Sequence, residues 1–419
     1  LSVSSIEPTI HLNNRDFTKL WVGQTISKVG SQVTLLALPI TAAVTLSATS
    51  LQMGILSALG SAPALLFGLF AGVWVDRTHR RPVLIWTDLG RASALAIIPV
   101  SAMLGMLRVE MLYIVAFIAG AFGLLFDVAY RSYFPSLVGR QQLVRANSQL
   151  ELSASVAEII GPGAAGGLLQ LIGAPFAIAV DAFSFLVSSF SISLIRSPEP
   201  EVKQVDAPFH LGREIKEGLH QVFKQSRLRA LAGCLASLSL FNAIFEAVQI
   251  LFLTRLVGLT AGWLGLIFAS GSVGFVLGAL VADRLARWIG IGRGMLYAVV
   301  LLGASDLLVP LIGLLSQFWL VVLLLVVAQF AFGLSLTIFR IGHVSLRQSL
   351  TPDHLQGRMN ATLNVLTWGI VPVGGLLGGA LGEVIGLSLT LVIAAIGEML
   401  SIVWLFFSPV RHMRTVGVP

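Results

Sequence analysis

Charge is scarce in this chain: Asp, Glu, Lys and Arg make up 11% of its 419 residues against 56% hydrophobic residues, and the mean hydropathy is +0.89. A soluble domain is about one quarter charged, so a soluble enzyme is excluded. Cysteine is nearly absent, with Cys234 alone in an apolar run, which excludes a disulfide framework and a thiolate metal cluster. No Gly-Lys-Ser/Thr element follows any glycine run, so neither a phosphate loop nor ATP-driven transport by this chain alone is expected. Alternating ten-residue strands, the mark of a membrane barrel, are missing as well. His11, His79, His210, His220, His343, His354 and His412 fall at termini, in loops or at the membrane interface, with no pair at metal-ligand spacing on one helix. No metal, no other cofactor and no enzymatic activity are expected.

What the chain has is long apolar runs, each able to cross about 30 Å of hydrocarbon as a helix. They lie at 19–44, 50–75, 83–105, 110–130, 147–171, 174–195, 228–254, 262–282, 292–314, 317–339, 359–384 and 386–408. The polar start LSVSSIEPTIHLNNRDF does not resemble a cleavable signal, and the first apolar run is read as a retained spanning helix. These features predict an all-α integral membrane protein with twelve transmembrane helices.

The basic residues fix an orientation. Of the 27 Lys and Arg residues, all but Lys28, Arg91, Arg108 and Arg255 fall at the termini or in the connections on the same side as the termini. The positive-inside rule then places both termini in the cytoplasm, with the protein a multi-pass protein of the inner (cytoplasmic) membrane. A pI near 10.1 would suggest nucleic-acid binding in a soluble chain. Here the charge is spread over short juxtamembrane segments, where orientation and anionic lipid account for it, so no nucleic-acid partner is expected.

The chain repeats itself. GLFAGVWVDRTHRRP (68–82) is echoed by GFVLGALVADRLARW (274–288), with Asp283, Arg284 and Arg287 falling on Asp76, Arg77 and Arg80. After span 4, Arg145-Ala146-Asn147 is matched by Arg358-Met359-Asn360 after span 10. Matches at corresponding spans predict two pseudo-symmetric six-helix bundles, residues 1–195 and 228–419, joined by a cytoplasmic linker at 196–227. Two parallel halves suit alternating access to a site between them.

With Gly72-Val73-Trp74-Val75-Asp76-Arg77-Thr78-His79-Arg80-Arg81 between spans 2 and 3, the chain resembles the major facilitator superfamily. Asp88-Leu89-Gly90-Arg91-Ala92, the first span (17–39) and the segment from Pro135 to Asn147 resemble its macrolide-efflux-type branch of drug and siderophore exporters. The resemblance implies a major facilitator fold, proton-gradient energy and an outward-moving, small amphiphilic substrate. Two departures stand out. Gly161-Pro162-Gly163-Ala164-Ala165-Gly166-Gly167 carries one residue more than the usual antiporter element of span 5, and Ser31 stands where relatives often have an aspartate.

The resemblance makes Asp76 a gate residue that accepts from the N-terminal amides of span 11 when the cytoplasmic side is shut, with Arg77, Arg80 and Arg81 meeting loop carboxylates and lipid. Asp88 with Arg91, and Asp127 with Arg131, stand at pairing distance along a helix. It also places spans 1, 4, 7 and 10 around the central cavity. An ionisable residue inside a span needs a cavity, a partner or a proton, which makes Glu246, Glu158 and Lys28 the leading coupling or substrate residues. Asp306 and Glu398, on spans that face away from the cavity, rank behind them. Gln24, Gln32, Asn242, Gln249, Phe241, Phe245, Phe330 and Trp368 could shape an amphiphilic pocket. Gly120, Gly123, Gly163, Gly166, Gly374, Gly375, Gly378 and Gly379 are read as sites of close helix approach, and Gly161, Pro162 and Gly167 as packing residues of span 5.

The leading reading is a proton-coupled antiporter acting as a monomer. An uptake carrier or facilitator, and a membrane scaffold or lipid-handling protein that has lost coupling, are the rivals.

Overall fold

A chain in hydrocarbon must satisfy its backbone polar groups internally, which for these sequences means helices. The computed structural model describes residues 15–138, 142–197, 199, 224–352 and 356–414, and twelve helices in it are long and apolar enough to cross a membrane. They are α1 (Arg15–Ile40, prolonged by a π-helical turn, Thr41–Thr45), α2 (Ser50–Asp76), α3 (Arg80–Met103), α4 (Val109–Val138), α5 (Leu143–Ile172) and α6 (Ala174–Ser193). The second set is α7 (Ser226–Leu251, prolonged by a π-helical turn, Phe252–Leu256), α8 (Ala261–Ile289), α9 (Ile291–Ile312), α10 (Phe318–Leu350), α11 (Gln356–Val384) and α12 (Leu387–Leu400, continued by Ile402–Phe406). The linker expected at 196–227 lies mostly outside the described residues.

All twelve spans are present, but three run further than hydropathy indicates. α4 continues to Val138, α8 to Ile289 and α10 to Leu350. Pro135, Arg131, Asp283, Arg284, Arg287, Arg340 and Arg347 therefore stand on helices, not in loops. Hydropathy marks where a chain leaves hydrocarbon, whereas the hydrogen-bond ladder stops only at a residue that breaks it. Gly290 (φ 90°) ends α8 in this way, and Gly386 (φ 86°) separates α11 from α12, conformations that side chains with a Cβ rarely adopt.

In the first half, α1 packs on α5 and α6, α3 on α4 and α6, and α2 on α4. In the second, α7 packs on α11 and α12, α9 on α10 and α12, and α8 on α10. The halves meet chiefly through α2 against α11 and α5 against α8.

Their apolar cores show how. At the end away from the basic connections, one buried cluster runs through both halves, taking in Val33, Met53, Ile178, Val248, Ile267 and Leu325. At the basic end there are two separate clusters, one around Phe17, Leu84 and Tyr133, the other around Leu231, Met295 and Phe339. The molecule is closed at one end and divided at the other. Closure depends on glycine: a Cβ on Gly54 would lie 2.5 Å from Gly375 O, and one on Gly166 would lie 2.7 Å from Gly265 Cα, so only backbones without side chains approach this closely.

Candidate functional site

Over most of their length, α1 and α4 make no substantial contact with α7 and α10 among the described residues, which leaves a space between the halves. The ionisable side chains around it differ on its two sides.

On the side of the first half, acids and cations are interleaved. Asp88 on α3 is completely buried and paired with Arg91 one turn on. The Arg91 guanidinium is held between the rings of Phe126 and Phe185, 4.4 and 4.1 Å from their centroids, a desolvated cation–π arrangement. Asp127 on α4 lies within electrostatic range of Arg91, Arg131 and Lys28. Lys28 is exposed in mid-helix on α1, so it is not enclosed in packing. Glu158 on α5 is exposed too. On α6, Asp181 is buried and accepts from Ser184 Oγ at 3.0 Å and Ser31 Oγ at 3.4 Å. Ser31 thus supports a neighbouring carboxylate where relatives often have an acid of their own.

On the side of the second half, the ionisable groups near the space are acids. On α7, every residue from Ala243 to Leu253 is buried except Glu246. The helix turns Leu240 and Ile244 to the glycines of α11 and Phe241 to Gly397 of α12, and at 3.6 residues per turn Glu246 points roughly the other way. It lies within electrostatic range of Asp306 on α9 and Glu398 on α12. Those two ranked behind Glu246 on sequence because their spans face away from the cavity. Both point inward instead, 2% and 0% exposed, and their carboxyls lie against each other. Asn242, one turn before Glu246, faces Glu398. Helix periodicity tells which residues share a face of one helix, but not which faces of α9 and α12 meet, so the sequence held no sign of this grouping.

Several expected pocket residues pack instead. Gln24 is buried and donates to Ser188 Oγ at 3.0 Å, and Gln249 and Phe245 are buried within the helix bundle. Phe241 fills the space above Gly397, and Gln32 the space above Gly161. Trp368 lies over Gly68 at the contact between the halves, and Pro162 supplies the carbonyl against Gly265. Gly374 and Gly378 meet α7, and Gly120 meets Gly60, as close approaches. Gly72, Gly123 and Gly167 have open space where a Cβ would lie, so the packing reading fails for Gly123 and Gly167. The interfacial placing of His343 is also corrected: it is 3% exposed, inside α10 against Phe339, because α10 outruns its hydropathy limit.

At the basic end, the side chains of Asp76 and Arg358 lie outside the described residues. Arg77 is exposed. Arg80 and Arg81 present their backbone amides, at the start of α3, to the carboxylate of Glu199, with Arg81 N 3.3 Å from Oε2. Arg81 also donates to the carbonyls of Ile192 and Ser193, at 3.2 and 2.6 Å, so it fastens the end of α6. Arg145 is exposed at the start of α5. The second copy of the signature is different. Asp283 and Arg287 pair with each other at 2.6 Å, with side chains 75% and 72% exposed, and Arg284 is exposed. Exposed i,i+4 pairs contribute about 0.3–0.5 kcal/mol. Arg287→Ala should therefore change thermal stability by no more than about 0.5 kcal/mol, and a larger loss on thermal unfolding would show that the second copy holds something more.

At the closed end, Arg255 in the π-helical turn of α7 crosses to the first half. Its Nη2 donates to Ala43 O at 3.0 Å and Ala48 O at 2.7 Å, and Ala43 lies in the π-helical turn of α1. Leu51 N approaches Glu383 Oε2 at 3.5 Å nearby. Sequence singled out Arg255 only as a basic residue on the wrong side of the membrane; that exception was the available signal.

The family model described as transmembrane secretion effector matches residues 6–418. The chain is similar to the multidrug efflux pump Tap of Mycolicibacterium fortuitum, with 27% identity over 88% of this chain and 90% of that protein. It is also similar to macrolide efflux protein A of Streptococcus pyogenes, with 27% identity over 56% of this chain and 57% of that one. Among solved structures, a bacterial homologue of the iron transporter ferroportin in an inward-facing state aligns with a TM-score of 0.75 at 18% identity, covering 94% of this chain and 99% of that one. The same homologue in an outward-facing state gives 0.58, at 18% identity over 93% and 98% of the two chains. The nucleoside transporter NupG gives 0.71 at 14% identity, over 94% and 98%. Twelve membrane-length helices in two bundles, closed at one end, and a family match along nearly the whole length make the protein a multi-pass secondary transporter working by alternating access. The chain belongs to the transmembrane secretion effector family of the major facilitator superfamily.

Proposed function

We propose that the protein is a proton-coupled antiporter that exports amphiphilic, drug-like molecules across the cytoplasmic membrane. The observation that carries this reading is Glu246, the one exposed residue in a buried stretch of α7, set beside two further acids in a half where no cation is paired with them among the described residues. A carboxylate without a counter-ion, between apolar walls and an aqueous space, is suited to bind a proton in one state and release it in the other. The names of the relatives support efflux. With the basic end in the cytoplasm, the closed end is the outer one, so the conformation is open inward. Lys28, Asp127 and Glu158 form the opposing wall and are assigned to substrate contact. The protein is taken to act as a monomer in contact with lipid, drawing on the proton gradient.

The test uses reconstituted vesicles, a radiolabelled macrolide as probe and an imposed pH gradient. Export should rise when the side receiving the probe is made more acidic, with probe flux dissipating the gradient. Glu246→Gln should abolish that pH dependence while leaving probe binding measurable. Macrolide movement that ignores the gradient would favour a facilitator, and the absence of any flux would favour a scaffold.

A further inference from the structure

The acid group of the second half contains more carboxyls than a single coupling residue requires. Asp306 and Glu398 come from α9 and α12, are 2% and 0% exposed, and lie carboxyl to carboxyl. Neither oxygen of Glu398 has a donor at hydrogen-bond geometry, nor does Asp306 Oδ2. Two facing carboxylates offer only acceptors to each other, so the contact becomes a hydrogen bond when one of them carries a proton.

The surrounding helices supply no other neutraliser. From α7 the pair is faced by Glu246 and the Asn242 amide. Ser305, next to Asp306, uses its hydroxyl on Leu302 O, and Ser401 uses its own on Gly397 O. On α9 the one cation is Arg293, about 20 Å along the helix from Asp306. On α10, Arg340, His343 and Arg347 lie towards the basic end, and Gln329 turns to Gly271 of α8. On α12, Glu398 is the one charged residue. Among the described residues no group of three or more His, Cys, Asp or Glu is arranged to hold a metal ion. Two adjacent buried charges of the same sign with no counter-ion are prohibitively costly, so a proton is the neutraliser that fits.

We propose that Asp306 and Glu398 form a proton-sharing carboxyl pair that loads and unloads through Glu246. This rests on the proton-coupled reading above and extends it from one residue to a relay. In the loaded state both carboxyls are protonated and the pair is neutral. On unloading, one O–H bond of the pair breaks and its proton passes to the Glu246 carboxylate, forming an O–H bond there. The pair is left with one proton shared between Asp306 and Glu398 and a single negative charge. Glu246 then gives its proton to water in the central space and returns to the carboxylate. Asp306 and Glu398 hold the proton, and Glu246 is its way in and out.

Infrared difference spectroscopy on the full-length protein in lipid vesicles tests this. After a step to alkaline pH, the wild-type protein should lose the carbonyl stretch of a protonated carboxyl buried away from water. Asp306→Asn and Glu398→Gln, isosteric changes that remove buried charge and should preserve thermal stability, should each abolish that signal. Glu246→Gln should keep it but slow its loss by about 100-fold. A signal that survives both pair substitutions, or is lost equally fast in Glu246→Gln, overturns the proposal. Macrolide transport by the same vesicles separates the two readings. Flux independent of the pH gradient, with the spectroscopic result intact, removes the antiport reading and supports the pair. Gradient-driven flux unchanged in Asp306→Asn and Glu398→Gln overturns the pair and leaves antiport standing.

Discussion

Arg91→Met is expected to destabilise the protein by about 3–5 kcal/mol, the cost of leaving one partner of a buried ion pair behind. Asp88 is completely buried, and removing the guanidinium deprives its charge of the counter-ion on its own helix. The rings of Phe126 and Phe185 also lose the group they enclose, although methionine restores part of that contact. The reverse change, Asp88→Asn, should cost much less, since Arg91 remains within range of Asp127 and between the two rings. Combining Asp88→Asn with Arg91→Met should recover most of the loss, because replacing both members of a buried pair is often close to neutral. Thermal unfolding of the purified protein in detergent measures all three variants. Equal losses in the two single variants would mean that Asp88 is stabilised by something other than Arg91.

Arg255→Met should move the protein from the form closed at the end away from the basic connections towards the form open there. The arginine makes two charge-assisted hydrogen bonds to carbonyls of the other half. Bonds of that kind contribute about 1.5–3 kcal/mol each in shielded sites. Arg255 is exposed and water can replace part of what is lost, so about 1.5–3 kcal/mol in total is expected, a shift of roughly 10- to 100-fold in the ratio of the two forms. Cysteines introduced at Met53 and Leu264, 4% and 0% exposed beside the glycine contacts of this end, should become correspondingly more reactive to a membrane-impermeant thiol reagent. Lysine at position 255 reaches with a single ammonium in place of a fork and should rescue only part of the effect. Reactivity unchanged from the parent would show that the glycine contacts of α2 with α11 and α5 with α8 close this end unaided.

The number of spans, their order, the duplication and the signature before α3 are all legible in the sequence, because each depends on composition or spacing within one segment. The reach of α4, α8 and α10 beyond the bilayer is not, since polar residues continue a helix as readily as apolar ones until a residue such as Gly290 interrupts it. The candidate site divides in the same way. Glu246 stands out as an acid in an apolar run, and Asp88 with Arg91 follows from helical spacing. The meeting of Asp306 with Glu398 depends on how α9 and α12 are rotated against each other, and Arg255 with Ala43 on how two distant helix ends meet. The relation between the halves was legible in kind but not in detail: the second copy of the signature preserves residue types while its Asp283 and Arg287 pair in solvent.

The length of α10 has a mechanical consequence. At 33 residues it measures about 50 Å, well beyond the roughly 30 Å of hydrocarbon it has to cross. With the halves touching through glycines at the closed end, a pivot at that contact would make the long helices lever arms. A rotation of about 10° there carries the far tip of a 50 Å arm through about 9 Å. A displacement no larger than a methyl group at the pivot becomes, at the other end of the arm, an opening wide enough to admit a molecule.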